Sequence, residues 1–152
     1  MFTIIIFLIG FVPVKTKHVV CDEPNLELYY SFCGESFVTT AAMKPCVFNR
    51  QEYVNLSMTF IPRTNLDYVY AIFEVWHNSF KVSDATYPMC SGVDDDFSFC
   101  GALKGETIKL FKREHFPRLP DVKGVFTSKF RVFAGLKEEQ IICIDFMLNI
   151  KE

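Results

Sequence analysis

The chain has 152 residues, half of them hydrophobic and 16% aromatic, with 17 Phe against a single Trp. That length is one domain's worth and enough to bury a sizeable core. A formal net charge of −2 excludes capture of nucleic acid or another polyanion by bulk charge, so any anionic ligand has to meet a local basic patch.

The chain opens with an apolar run, Met1 to Val12, too short to span a bilayer and of the length of a signal-peptide core. A leader is expected over residues 1–16, cut between Gly10 and Lys17, although Val12-Pro13-Val14-Lys15 is not a small-x-small cleavage pattern. A buried N-terminal strand is the competing reading. No later run approaches the ~20 apolar residues of a membrane helix, so residues 17–152 are expected as one domain without a transmembrane segment.

From there period-two alternation dominates. Leu26, Leu28, Tyr30 and Phe32 alternate with Glu27, Tyr29 and Ser31; Leu56, Met58 and Phe60 with Asn55, Ser57 and Thr59. Val69, Ala71, Phe73 and Val75 share a face opposite Tyr70 and Glu74. Phe126, Ser128, Phe130 and Val132 alternate with Thr127, Lys129 and Arg131, and Ile142, Ile144, Phe146, Leu148 and Ile150 face away from Asp145 and Asn149. These are half-buried strands. Turn chemistry separates them at Cys33-Gly34-Glu35, Arg63-Thr64-Asn65, Ser91-Gly92 and Lys123-Gly124. No clear helical stripe interrupts them. The pattern predicts an all-β, immunoglobulin-like, two-sheet antiparallel sandwich, with a closed up-and-down barrel as the alternative.

Six cysteines, Cys21, Cys33, Cys46, Cys90, Cys100 and Cys143, all follow the leader. In a secreted chain an even set implies three bridges, whose pairing the sequence leaves open. There is no CxxC, and the three histidines are scattered, which argues against zinc and thioredoxin chemistry. His18, His77 and His115 have no nucleophile in a GxSxG or similar setting, so no catalytic residue is expected, and no cofactor. Asn55-Leu56-Ser57 is a glycosylation sequon. Asp94, Asp95 and Asp96 lack the alternating oxygens of a calcium loop; they are a solvated acidic loop or a partner-facing one. The inward apolar faces also leave two readings, a Phe-rich packed core or splayed sheets around a ligand cavity.

The stretch Cys90-Ser91-Gly92-Val93-Asp94-Asp95-Asp96-Phe97-Ser98-Phe99-Cys100, followed by Ala102-Leu103-Lys104-Gly105-Glu106-Thr107, resembles the ML lipid-recognition domain family in the form carried by its Toll-like receptor 4 co-receptors. The resemblance extends through Phe60-Ile61-Pro62-Arg63 and Glu138-Glu139-Gln140-Ile141-Ile142-Cys143, and covers the chain from Cys21 to about Ile150. It implies disulfides Cys21–Cys46, Cys33–Cys143 and Cys90–Cys100. It also implies acyl chains held between the sheets by Leu28, Tyr30, Phe32, Val47, Leu56, Met58, Phe60, Val69, Ala71, Phe73, Phe99, Ile108, Phe126, Phe130, Ile142, Ile144, Phe146 and Leu148. Asp94, Asp95 and Asp96, aided by Arg63 and Lys104, would meet the receptor ectodomain.

The implied function is a secreted, glycosylated co-receptor, not an enzyme, that binds lipopolysaccharide (lipid A) or a related amphiphile and presents it to Toll-like receptor 4 at the cell surface. The alternatives are a soluble carrier of sterol or glycolipid, or a partner of a signal-dampening receptor homologue. The chain departs from the family pattern in several places. Gly101 stands where close relatives carry Arg, and Ser128 where they carry an unpaired cysteine. Of the basic rim the segment keeps Lys109, Lys112, Arg113, Arg118, Lys123 and Lys129, while Tyr53, Ala85 and Val125 are neutral. A mobile loop near residues 115–124 is expected to swing with ligand and help join two receptor complexes, with Leu119 as the apolar residue that does so.

Overall fold

A computed structural model describes residues 16–34, 38–44, 53–93, 95–115 and 122–151. The expected leader lies outside them up to residue 15, as do Cys46, Val47, Asp94, Arg118 and Leu119. The described residues form nine strands: β1 (His18–Glu23), β2 (Leu26–Phe32), β3 (Val38–Lys44), β4 (Tyr53–Phe60), β5 (Val69–His77), β6 (Phe80–Cys90), β7 (Ile108–His115), β8 (Gly124–Ala134) and β9 (Glu139–Ile150). They build a six-stranded sheet in the order β1-β2-β9-β8-β5-β6 and a three-stranded sheet in the order β3-β4-β7. Every pairing is antiparallel. Two separate sheets decide for the sandwich and against the closed barrel. Among the described residues no helix is long and apolar enough to cross a membrane.

The registers carry the sequence alternation into three dimensions. Phe32 pairs with Ile144, Tyr30 with Phe146 and Leu28 with Leu148. Phe130 pairs with Ile144 and Phe126 with Leu148, while Phe73 pairs with Phe130. Directly opposed residues of an antiparallel pair share a face, so one continuous apolar face runs across β2, β9, β8 and β5. In the smaller sheet Phe60 opposes Ile108, Met58 opposes Leu110 and Leu56 opposes Lys112. β5 turns into β6 through Asn78 and Ser79, at φ 47° and 72°. A two-residue hairpin loop needs this positive φ to match the strand twist, and Asn tolerates it through its short polar side chain.

Among the described residues the buried side chains gather in one cluster. Phe60, Leu66, Val69, Ala71, Phe99, Val132, Ala134, Ile141, Ile142 and Ile144 form the buried cluster with Cys90. Two of the three implied bridges are present, Cys33–Cys143 and Cys90–Cys100, with sequence separations of 110 and 10. In the chain-entropy account the long loop closed by Cys33–Cys143 stabilises by about 4–5 kcal/mol. Cys21 is also disulfide-bonded; its expected partner lies outside the described residues.

The outer face of the large sheet is tied by charge. Glu74 accepts from Lys81 at 3.0 Å and from Arg131 at 2.6 Å. These cations, Lys81 first, hold its carboxyl below the usual range. Glu27 accepts from Asn149 at 3.0 Å and also from Lys151, which joins the start of β2 to the end of β9.

Candidate binding cavity between the sheets

Beside the packed cluster, the sheets flank a half-open cavity of about 350 Å³. Its wall is Val20 of β1, Leu28 and Tyr30 of β2, Ala41 and Ala42 of β3, Leu56, Ser57 and Met58 of β4, Phe73 of β5, Leu110 and Lys112 of β7, Phe130 of β8, and Ile144 and Phe146 of β9. The volume falls at the low end of the range of small-molecule sites, about 300–1,000 Å³. Tyr30 organises the wall. Its ring stacks on His18 at 4.9 Å and meets Phe32 edge-on at 5.5 Å. Its hydroxyl donates to the Ala41 carbonyl at 3.5 Å, a long bond that links the two sheets across the gap.

The structure divides the expected lipid-binding residues. Leu28, Tyr30, Leu56, Met58, Phe73, Phe130, Ile144 and Phe146 line the cavity. Phe60, Val69, Ala71, Phe99 and Ile142 do not; they are packed into the closed end and at most 5% exposed. Phe32 and Ile108 lie against that end. Phe126 and Leu148 sit farther along the large sheet, where Phe126 stacks on His77 at 4.4 Å. Among the described residues of the set inward pointing is thus common, and distance along the strand decides whether a side chain meets another side chain or empty space.

Sequence reasoning missed Val20, Ala41, Ala42, Ser57 and Leu110, and it placed Lys112 on the rim. The signal for the last two was readable: Ile108, Leu110 and Lys112 alternate as β7 does. Of the other rim cations, Lys109 and Arg113 point away from the cavity, opposite Thr59 and Asn55. Arg113 lies 4.4 Å from the Tyr53 ring centre. Lys129 is on the outer face, 3.9 Å from Asp145, and Lys123 is exposed before β8. Lys112 is the one charged side chain among the described residues of the wall.

No family profile matches the chain. Lymphocyte antigen 96 of Cricetulus griseus is 30% identical over 129 residues, spanning 84% of this chain and 81% of the relative. The chain belongs to the lymphocyte antigen 96 family. Lymphocyte antigen 96 of Homo sapiens is 26% identical over 139 residues, spanning 91% and 87% of the two chains. The crystal structure of chicken MD-1 complexed with lipid IVa superposes with a TM-score of 0.77 at 21% identity, covering 90% of this chain and 98% of MD-1. At that identity the likeness speaks for the ML sandwich itself.

This lymphocyte antigen 96 family member carries its expected receptor-facing residues on two laced loops. Leu66 donates to the Ala102 carbonyl at 2.9 Å, Gly101 to that of Leu66 at 3.0 Å and Gly105 to that of Pro62 at 2.8 Å. The lacing brings Arg63 and Lys104 to one surface hollow beside Asn65, Tyr68 and the exposed Leu136. Asp96 is exposed, whereas Asp95 is half-buried and turned back on its own loop. The Asp95 carboxylate accepts from the Ser91 amide at 2.7 Å, the Ser91 hydroxyl at 3.0 Å and the Gly92 amide at 3.0 Å. These bonds, the Ser91 amide foremost, lower its pKa. Asp95 also lies near Cys90 and Cys100, but their sulfurs are bonded to each other and cannot ligate a metal as thiolates. Asn55 is exposed on the outward face of β4. Ser128 opposes Phe146 on the inward face of β8, and among the described residues no cysteine is free.

Proposed function

We propose that this lymphocyte antigen 96 family member is a secreted co-receptor. It takes the acyl chains of an amphiphile, lipid A of lipopolysaccharide foremost, between its sheets. It then presents the headgroup to the ectodomain of Toll-like receptor 4. The observation that carries the reading is the apolar cavity walled by strands of both sheets, next to the packed core. Each methylene moved from water into such a wall is worth about 0.8 kcal/mol, so about ten buried carbons offer roughly 8 kcal/mol before ordering costs. That suffices for affinity without a covalent bond. Arg63, Lys104 and Asp96 supply the receptor-facing charges, and Asp95 acts by holding the loop that presents Asp96. The chicken MD-1 complex, with lipid IVa bound to the same sandwich, supports the ligand class.

Mixing the purified protein with lipid A and the receptor ectodomain, followed by size-exclusion chromatography, tests the proposal. A ternary complex is expected at micromolar concentration, weakened by Arg63→Glu. Absence of any receptor complex, with or without lipid, contradicts it. A soluble lipid carrier is the second reading, favoured by the outward orientation of Lys109, Arg113 and Lys129. Sterol or glycolipid co-purifying with the secreted protein would select it.

A further inference from the structure

The outer face of the large sheet carries side chains that a wet surface does not need. Directly opposed residues set Tyr29, Met147, Thr127 and Trp76 in one row across β2, β9, β8 and β5. Ser31, Asp145 and Lys129 form the next row, which ends at Glu74, already bound to Lys81 and Arg131. Glu74 apart, the two rows line an open hollow of about 370 Å³, with the exposed Lys17 at its edge. Tyr29, Met147 and Trp76 are half-buried there, although the outward face of such a sheet is ordinarily polar. Tyr30, Ser128 and Phe146 alternate with these residues and point to the other side, so the sheet itself separates the hollow from the lipid cavity.

We infer that this hollow is a second binding site, and that it takes a neutral saccharide. A sugar ring has an apolar C–H face and a rim of hydroxyls, and the hollow answers both. Tyr29 and Trp76 offer flat aromatic surfaces for the C–H faces. They stand three strand spacings apart, about 14 Å, with Met147 and Thr127 between them. That span suits a short oligosaccharide better than a single ring. Lys129 Nζ lies 3.9 Å from Asp145 Oδ1, too far for a direct hydrogen bond. A sugar hydroxyl beside the pair can donate to the carboxylate and accept from the ammonium at once, which neither an anion nor a cation can do. Among the described residues the Trp76 indole N–H and the hydroxyls of Tyr29, Ser31 and Thr127 make no hydrogen bond within the protein, which leaves them for the remaining sugar oxygens. The inference is independent of the proposed function, because the hollow and the lipid cavity lie on opposite sides of the sheet.

The chain has a single tryptophan, so any change in tryptophan emission on binding reports Trp76. The full secreted protein is titrated with maltose, lactose, cellobiose and N,N′-diacetylchitobiose, and with glycerol as a polyol without the ring. At least one disaccharide is expected to shift the emission saturably, with a dissociation constant of about 1 mM, and glycerol is not. Asp145→Ala and Tyr29→Ala should each weaken binding about tenfold, through loss of a charge-assisted contact or of an aromatic platform. Thr127→Val, an exposed change of nearly equal shape that leaves the fold intact, should weaken it severalfold. Lys109→Met, on the other sheet, and saturating dodecanol should leave the sugar response unchanged. Absence of a saturable shift up to about ten times that concentration overturns the inference. So does an equal response to glycerol, full binding by all three hollow variants, or a response abolished by dodecanol, which would place the sugar elsewhere.

Discussion

Asp95 stands between two other acids in the sequence, and its neighbours give no hint that it behaves differently. In the fold its carboxylate closes the loop after β6 by accepting from Ser91 and Gly92, and the bonding lowers its pKa. The sign of the pH effect follows. A carboxylate whose folded pKa lies below its unfolded one contributes its full stabilisation above the ordinary carboxylate value. It loses that contribution as pH falls through the lowered folded value. Asp95→Asn is therefore expected to be less stable than wild type at pH 7 in urea unfolding, with the gap narrowing below about pH 4. A gap independent of pH contradicts the assigned bonds. The difference between Asp95 and Asp96 was not legible beforehand, because it depends on backbone amides at a bend. The inward position of Lys112 was half-legible: the alternation of β7 pointed to it, but its charge suggested the rim.

Single strands show what alternation can and cannot reveal. The inner faces of β2, β4, β5, β8 and β9 were readable because each shows an apolar side and a wet side, and the structure joins them in register. β6 escaped because it is an edge strand, exposed almost throughout, with Pro88 in a position that a central strand would not tolerate. β3 escaped because Thr and Ala give little contrast between its faces, and Ala has little strand preference. The turn at Asn78-Ser79 also carried no glycine to mark it. Gly124, by contrast, marks the start of β8 for a reason visible in space. It sits at φ 123°, and an added Cβ would come within 3.0 Å of His77 Nε2 and 3.1 Å of Asn78 Oδ1. Gly124→Ala should cost about 1–3 kcal/mol of unfolding free energy through the strain of that backbone conformation. Chemical denaturation measures it, and a neutral substitution would contradict the assigned conformation.

The molecule as a whole is a sandwich packed at one end and hollow toward the other. Composition could not separate a Phe-rich core from a cavity, since periodicity tells which way a side chain points and not how far away the opposite sheet stands. Phe60 and Phe73 read alike in the sequence; the first is buried in the packed end and the second lines the hollow. The resemblance to the ML family pointed to a cavity but placed Phe60 and Phe73 alike on its wall; it also implied the disulfide pairs, of which Cys33–Cys143 and Cys90–Cys100 are observed. The most direct test is a crystal structure of the protein grown with dodecanoic acid brominated at its terminal carbon. The account predicts an anomalous bromine peak between the sheets, among Leu56, Met58, Phe130 and Ile144. An interior filled by the protein's own side chains, with no bromine between the sheets, would contradict it.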